Sequence, residues 1–229
     1  MSRESSSALA LIPRSVGAIA RRELPKYLTR DQVVALIEAA DRPRDRLLLR
    51  VLWETGVRVS ELISLTPDSI DFTGEAVRVV TLKRRGHVRA IPVRPALLGD
   101  LARHIAGSGI RVGARLFPMT RQRVHQIVRR AARRAGTPPD RAHAHVLRHA
   151  FAIACVLARV PVLVLAEWLG HRSLESTLVY TKVLCADSRR YLGDVDFGTV
   201  TTSPSASKSA ESAQGSASPS ARIPAPARP

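Results

Sequence analysis

The chain has 229 residues, which is enough for one core of ordinary size and excludes two large domains. Lysine and arginine number 36 against 19 aspartates and glutamates, and the formal net charge of +17 indicates a polyanionic partner: nucleic acid first, an anionic membrane surface or a ribosome as alternatives. No apolar run reaches the ~18 residues of a membrane span, and two cysteines make no disulfide framework, so we expect a soluble cytoplasmic protein.

Composition divides the chain into three parts. The residues before Leu24 are too few to form a domain unaided, so 1–23 is predicted to be a flexible N-terminal extension. Near Val200 the sequence turns to serine, alanine and proline, and 198–229 is predicted to be a disordered tail that cannot offset its ordering entropy. One folded unit remains, residues 24–197.

The first elements of this unit are two helices and a hairpin. Thr29 and Gln32 form a capping box ahead of apolar residues at helical spacing, which predicts a helix start. A second helix is predicted over 44–55 with Gly56 as its C-terminal stop. The β-rich stretches 77–82 and 88–93 flank a basic turn and predict a hairpin.

Helices are predicted again after the hairpin. One is capped by Thr120 and runs to about Ala135, and three others cover 145–158, 162–169 and 174–183. The predicted fold class is therefore mainly α with one small antiparallel β-sheet.

The helix after Thr120 has an apolar stripe on one side and arginines on the other. An ordinary solvated surface helix is one interpretation. However, no acidic residue interleaves these arginines, and uncompensated like charge on one face is costly unless a polyanion meets it. We therefore also predict DNA contacts here and at the hairpin turn, made by Arg123, Arg130, Arg134, Arg84 and Arg85.

Four short stretches together carry candidate chemistry. Breaking a phosphodiester requires a nucleophile, cations for the non-bridging oxygens and an acid for the leaving oxygen. The stretches contain Arg58 and Glu61 in Thr-Gly-Val-Arg-Val-Ser-Glu-Leu, Lys83 in the hairpin turn, His145 and Arg148 in His-Val-Leu-Arg-His, and His171 nine residues before Tyr180.

These residue types match that chemistry. Arginine grips two phosphate oxygens at once, and a lysine on a hairpin can protonate a leaving oxygen. A phenol with a pKa of about 10 is only ~0.1% ionised at neutral pH, so Tyr180 would need help, which His145 and His171 could give. No carboxylate cluster or Cys/His pair predicts a metal site, so neither metal nor cofactor is expected.

The order Arg, Lys, HxxR, His, Tyr resembles the tyrosine recombinase, or phage integrase, family from Leu24 to Val183. The resemblance implies a catalytic domain that breaks and rejoins DNA, in which Arg58 and Arg148 clamp the scissile phosphate, Lys83 is the general acid, His145 and His171 assist, Glu61 orients the site and Tyr180 attacks. It also implies a 3′-phosphotyrosyl intermediate formed without metal or ATP.

The resemblance further implies double-stranded DNA as the partner and a homo-tetramer assembled on it. Residues 185–197 are predicted to form a short helix that docks onto a neighbouring subunit. Two alternatives are a type IB topoisomerase, which shares the chemistry, and a catalytically idle DNA-binding remnant.

Overall fold

The computed structural model describes residues 25–81 and 87–185. These residues form a mostly helical unit with a small antiparallel sheet, so the predicted fold class is confirmed. The helices are α1 (Arg30–Glu38), α2 (Pro43–Thr55), α3 (Val59–Leu62), α4 (Pro95–Gly107), α5 (Arg121–Arg134), α6 (Ala144–Leu157), α7 (Val162–Leu169), α8 (Glu175–Leu178) and α9 (Lys182–Cys185). The strands are β1 (Ile70–Asp71), β2 (Ala76–Thr81) and β3 (His87–Pro92), and short 3-10 helices cover Pro67–Ser69, Pro139–Arg141 and Val179–Thr181.

Local signals in the sequence position the first helices. The capping box before α1 is present: the Thr29 hydroxyl accepts from the Gln32 amide at 3.4 Å, and the Gln32 side chain accepts from the Thr29 amide at 3.0 Å. Helix α2 ends at Gly56, whose φ of 62° lies in the left-handed region that glycine adopts without steric cost. Both predictions are confirmed.

The sheet has the order β1-β2-β3 in the described residues, with antiparallel pairing throughout. In the hairpin, Ala76 lies opposite Pro92 and Thr81 opposite His87. The two-residue strand β1 was not predicted. The hairpin turn itself, with the predicted site residues Lys83, Arg84 and Arg85, lies outside the described residues.

The segment that carries Tyr180 differs from its prediction. One continuous helix was expected over 174–183, but the structure has α8, then the 3-10 turn Val179–Thr181, then α9. Helix α4 was not predicted at all. The predicted N-terminal extension, tail and docking segment lie outside the described residues, apart from the end of α9, and stay predictions.

Helix α6 runs through the centre of the domain. Nine of its 14 residues are buried, including Arg148, and α2, α5, α7 and α9 pack around it. The larger apolar cluster joins α1, α2, the sheet and α5 to the first half of α6, and a smaller one joins the second half to α7 and Tyr180. None of the described helices has the length and hydropathy to cross a membrane.

Candidate active site

Arg148 is held in the middle of the site by two backbone carbonyls. The residue is 2% exposed, and its guanidinium donates to the carbonyl oxygens of Gly56 at 2.7 Å and Leu169 at 2.6 Å. Burial, together with the nearby cation Arg58, lowers the pKa of Arg148 to about 10, so the group stays charged at neutral pH. Each bond uses one hydrogen of its nitrogen, which leaves the fork able to donate to a further acceptor.

Arg58 is positioned by a buried ion pair behind it. It stands immediately before α3, and its side chain donates to Glu61 at 3.1 Å and, at 3.4 Å, to the carbonyl of Gly170. The fully buried Arg89 donates to both oxygens of Glu61, at 3.2 and 2.7 Å, and to the carbonyl of Trp168 at 2.9 Å. Burial raises the pKa of Glu61, but hydrogen bonds from Arg89 and the Arg58 amide outweigh it and lower the pKa below its ordinary value.

Tyr180 meets a histidine on α6. Its hydroxyl lies 2.8 Å from Nδ1 of His149, and the His149 ring packs edge-on against His145 at 4.4 Å between centroids. Tyr180 is 3% exposed, and this burial raises the pKa of its phenol although Arg148 and Arg58 oppose the effect. Burial lowers the pKa of His149 to about 4, with His145 and Arg148 adding to the shift, so His149 is neutral at pH 7.

His171 is oriented by a buried hydroxyl. Its Nδ1 lies 2.7 Å from Oγ1 of Thr177, which is fully buried in α8. Burial and the cations Arg148 and Arg58 lower the pKa of His171 to about 3. Partial burial and then Arg148 likewise lower the pKa of His145. His149 and His171 are therefore uncharged at neutral pH and can donate or accept hydrogen bonds.

Two pockets share His145 as a lining residue. The first, of about 250 Å³, is lined by Arg58, Arg148, Arg121 and His125, and the second, of about 410 Å³, by His149, His171 and Tyr180, with other residues. Five of the six predicted catalytic residues line these pockets, and the sixth, Lys83, lies outside the described residues. The arrangement puts fixed guanidinium groups beside a phenol and neutral imidazoles.

Residues 26–186 match the family model described as the phage integrase family. The chain belongs to this family. The predicted resemblance is thereby confirmed.

Named relatives support the same family. The chain is 37% identical to a tyrosine recombinase XerD from Mycobacterium tuberculosis, covering 71% of this chain and 58% of the relative. It is 31% identical to a tyrosine recombinase XerA from Pyrococcus horikoshii, with the same coverage of both chains. The chain thus spans about 58% of the length of the curated relatives it matches.

Solved structures of the family share the fold. The crystal structure of XerA recombinase superposes with a TM-score of 0.65 at 25% identity, covering 76% of this chain and 66% of that one. The XerH site-specific recombinase, solved bound to its difH substrate in a pre-cleavage complex, superposes with a TM-score of 0.62 at 21% identity, covering 73% and 53%.

The arginines of α5 divide between two flanks. Arg123, Arg130 and Arg134 were predicted to contact DNA because no acidic residue interleaves them along the helix. Their charge was therefore expected to be uncompensated, and this expectation is wrong for two of them: Arg134 forms an ion pair with Asp41 from the α1–α2 connection, and Arg130 lies 3.8 Å from the same carboxylate. Arg123 lines a small cleft together with Asp41, Arg130 and Arg134, and its side chain donates to Gln126. Their contact with DNA stays a prediction.

Four contributors to the site were missed or not used at the sequence level. Arg121 and His125 lie four residues apart on the flank of α5 that faces Arg58 and Arg148, a spacing that places them on one side of a helix. His149 follows Arg148 in the motif and shares a helical face with His145. Arg89 lies in phase with the buried residues of its strand, a pattern that could have marked it as inward-facing.

Proposed function

We propose that the chain is the catalytic domain of a tyrosine-type site-specific DNA recombinase, which cuts and rejoins double-stranded DNA through Tyr180. One observation carries the proposal: Tyr180 lines a pocket that shares His145 with the pocket lined by Arg58 and Arg148, although these residues come from widely separated segments. A protein that only bound DNA would not need to bury a phenol beside arginines whose guanidinium groups are fixed by hydrogen bonds to protein groups.

The proposed reaction begins with the scissile phosphate in the first pocket. Arg148, fixed by two carbonyls, and Arg58, fixed by Glu61, would donate to its non-bridging oxygens and stabilise the charge that grows on them in the transition state. His171, oriented by Thr177, would present Nε2–H to the same phosphate. His145, between the pockets, would assist proton transfer.

The bond changes follow from the nucleophile. The Tyr180 oxygen attacks phosphorus, the bond to the 5′ oxygen breaks, and a 3′-phosphotyrosyl link forms. We assign protonation of the leaving 5′ oxygen to Lys83. A 5′-hydroxyl from a partner strand then reverses the step. The number of phosphate ester bonds is conserved, so the exchange needs no ATP, and we expect it to proceed in the presence of a metal chelator.

The partner and the assembly belong to the same proposal. The excess of arginine and lysine fits a duplex DNA partner. Exchange between two duplexes requires four nucleophiles, so a homo-tetramer on DNA is proposed. The Tn1549 transposon integrase, a protein of the same fold, was solved in complex with transposon right end DNA.

The test is capture of the covalent intermediate. Duplexes from the chromosomal surroundings of the gene would carry a nick one or a few nucleotides from the cleavage position, so that a short strand diffuses away and traps the adduct. We expect a protein–DNA adduct with the wild type and none with Tyr180→Phe, because only the nucleophilic oxygen is removed. Tyr27→Phe and Tyr191→Phe are matched controls that should retain the adduct.

Three outcomes would contradict the proposal. A DNA-linked peptide containing Tyr191 in place of Tyr180 would overturn the assignment of the nucleophile. Relaxation of supercoiled DNA by a monomer, without paired sites, would identify a topoisomerase. Tight DNA binding with no adduct on any duplex tested, under conditions in which a family member reacts, would identify an idle remnant.

A second pair of variants tests the clamp. Arg58→Lys and Arg148→Lys keep the charge but lose the planar fork that holds two oxygens, so each should reduce adduct formation sharply. Arg134→Lys, on the flank of α5 next to Asp41, is the control and should leave the chemical step unchanged. Equal losses at all three positions would mean that the clamp is only part of a binding surface.

A further inference from the structure

The His149–Tyr180 hydrogen bond is a direct contact with the proposed nucleophile that the predicted catalytic set does not use. The Nδ1 atom of His149 lies 2.8 Å from the Tyr180 oxygen, within the range of a good hydrogen bond. His149 is half-buried on α6, one residue after Arg148, and it lines the pocket that contains His145, His171 and Tyr180.

We infer that His149 is a further catalytic residue, the base that accepts the Tyr180 proton as the phenol attacks phosphorus. The inference rests on the proposed function, because it concerns activation of the same nucleophile. In this assignment the His149 ring carries its hydrogen on Nε2, and the Nδ1 lone pair accepts the phenolic hydrogen.

The other imidazoles of the site are placed differently. His171 has its Nδ1 engaged with the hydroxyl of Thr177, and its ring centroid lies 6.5 Å from that of Tyr180. His145 contacts the edge of His149 at 4.4 Å between centroids and borders the arginine-lined pocket as well. These positions suit contacts with the phosphate, whereas the position of His149 suits the phenol.

The electrostatic surroundings explain why a base is needed and when it acts. Burial raises the pKa of Tyr180, so spontaneous ionisation is rarer than the ~0.1% of a free phenol at neutral pH. Burial, His145 and Arg148 lower the pKa of His149 to about 4, which keeps Nδ1 unprotonated in the absence of DNA and able to accept the phenolic hydrogen. An anionic phosphodiester beside Arg148 offsets the repulsion between Arg148 and a protonated His149, and it therefore makes the His149 ring more basic as the reaction starts.

The step is balanced as a proton transfer coupled to substitution. The O–H bond of Tyr180 breaks and an N–H bond forms at Nδ1 of His149. The phenolic oxygen bonds to phosphorus, the bond from phosphorus to the 5′ oxygen breaks, and that oxygen takes a proton from the general acid. In the rejoining step the imidazolium of His149 returns its proton to the departing phenolate.

The pH dependence of cleavage tests this inference. Single-turnover adduct formation would be measured between about pH 6 and pH 9 with protein in excess and DNA binding measured in parallel. A neutral base in place gives a nearly flat profile in this range. With His149→Leu, attack depends on the free phenolate, so the rate should fall by about 10²- to 10⁴-fold at pH 7 and rise about tenfold per pH unit.

Other titratable and charged groups near His149 must be considered in that profile. They are His145, Arg148 and His143 on or beside α6, His171 and Tyr180 from the C-terminal segment, and Arg58 from the start of α3. Burial and the cations Arg148 and Arg58 lower the pKa of His171 to about 3, so this ring does not titrate within the measured range. Burial and Arg148 also lower the pKa of His145, which moves its titration away from the alkaline part of the range, where the expected slope lies.

Two further variants separate proton transfer from positioning. Asn places a polar atom near the Nδ1 position without its basicity, so His149→Asn should restore part of the rate but keep the steep profile. His149→Ala should be rescued by added imidazole, since the pocket is open to solvent. His143→Asn, an exposed residue just before α6, is the control and should behave as wild type.

The outcomes distinguish this inference from the proposed function. If the wild type forms no adduct, the proposed function fails. If the wild type forms the adduct with a steep profile, or His149→Leu keeps the flat profile, then His149 is not the base and the proposed function stands. Circular dichroism and DNA binding of each variant show whether it is folded. If His149→Leu is not folded, the pH profile of His149→Asn is the test.

Discussion

Replacing Arg89 with methionine should destabilise the protein strongly, because it leaves a buried carboxylate without its main partner. Arg89 is fully buried and binds both oxygens of Glu61. Removing one member of a buried ion pair costs about 3–5 kcal/mol, a large share of the ~5–15 kcal/mol that stabilise a typical domain. Methionine retains the apolar stem of the side chain, so the loss reports mainly on the guanidinium.

Urea denaturation followed by circular dichroism measures this effect. With a slope of about 2 kcal/mol per molar urea for a domain of this size, the midpoint should fall by about 1.5–2.5 M. The double variant Arg89→Met/Glu61→Leu removes both charges and should recover much of the loss. Arg78→Met on the neighbouring strand, where the arginine is 55% exposed, should shift the midpoint far less.

The acid side of the stability curve gives an independent check. The pKa of Glu61 lies below its ordinary value in the folded state, so its contribution is fully present above about pH 4.5 and is lost as the pH falls towards the folded-state pKa. Glu61→Gln should remove this part of the acid destabilisation. The reasoning would be refuted if Arg89→Met unfolded at the wild-type urea midpoint, or if the double variant were no more stable than the single one.

Three other variants test separate features. Gly56→Ala should destabilise the protein by at least ~1 kcal/mol more than Gly136→Ala in the same denaturation assay. Both glycines have positive φ, but of the two only Gly56 lies where an added Cβ would collide with a neighbouring side chain, at 2.4 Å from the ring of Phe151. Arg121→Gln should lower the slope of log affinity against log salt by about 0.9, one phosphate contact, whereas Arg134→Gln should change it less because the aspartate already neutralises that arginine. Lys83→Ala should impair the cleavage of ordinary DNA, but it should impair much less the cleavage of DNA in which sulfur replaces the bridging 5′ oxygen. A thiol has an ordinary pKa of about 8.5, so the thiolate leaves without a proton. Equal impairment with both substrates would show that Lys83 is not the general acid.

The local features of the fold could be predicted from the sequence where a single residue type decides the conformation. The capping box at Thr29, the left-handed stop at Gly56 and the cap at Thr120 are all present as predicted. The 3-10 turn around Tyr180 could not be predicted, because over three residues the apolar spacing of a 3-10 turn does not differ from that of an α-helix.

The candidate site was only partly accessible to sequence reasoning, for a physical reason. The motif residues could be proposed from the chemistry of phosphate cleavage, but their supports come from residues distant in sequence. Arg89 holds Glu61 from a separate strand, and Asp41 compensates Arg134 from the connection before α2. Charge compensation across elements depends on tertiary packing, so counting charges along one helix gave the wrong balance on α5.

The two carbonyls that hold Arg148 come from parts of the chain that are synthesised at different times, so the site is complete only after both parts have been made. Both are C-terminal helix ends with partial negative charge, one ending α2 in the first third of the chain and the other ending α7, which is synthesised much later. A nascent or clipped chain without α7 has only one of the two acceptors, and it also lacks Tyr180, which follows α7 in the chain. Under the proposed function, a copy of this protein that ends before α7 cannot break a strand, because it has neither the nucleophile nor the second carbonyl that holds Arg148.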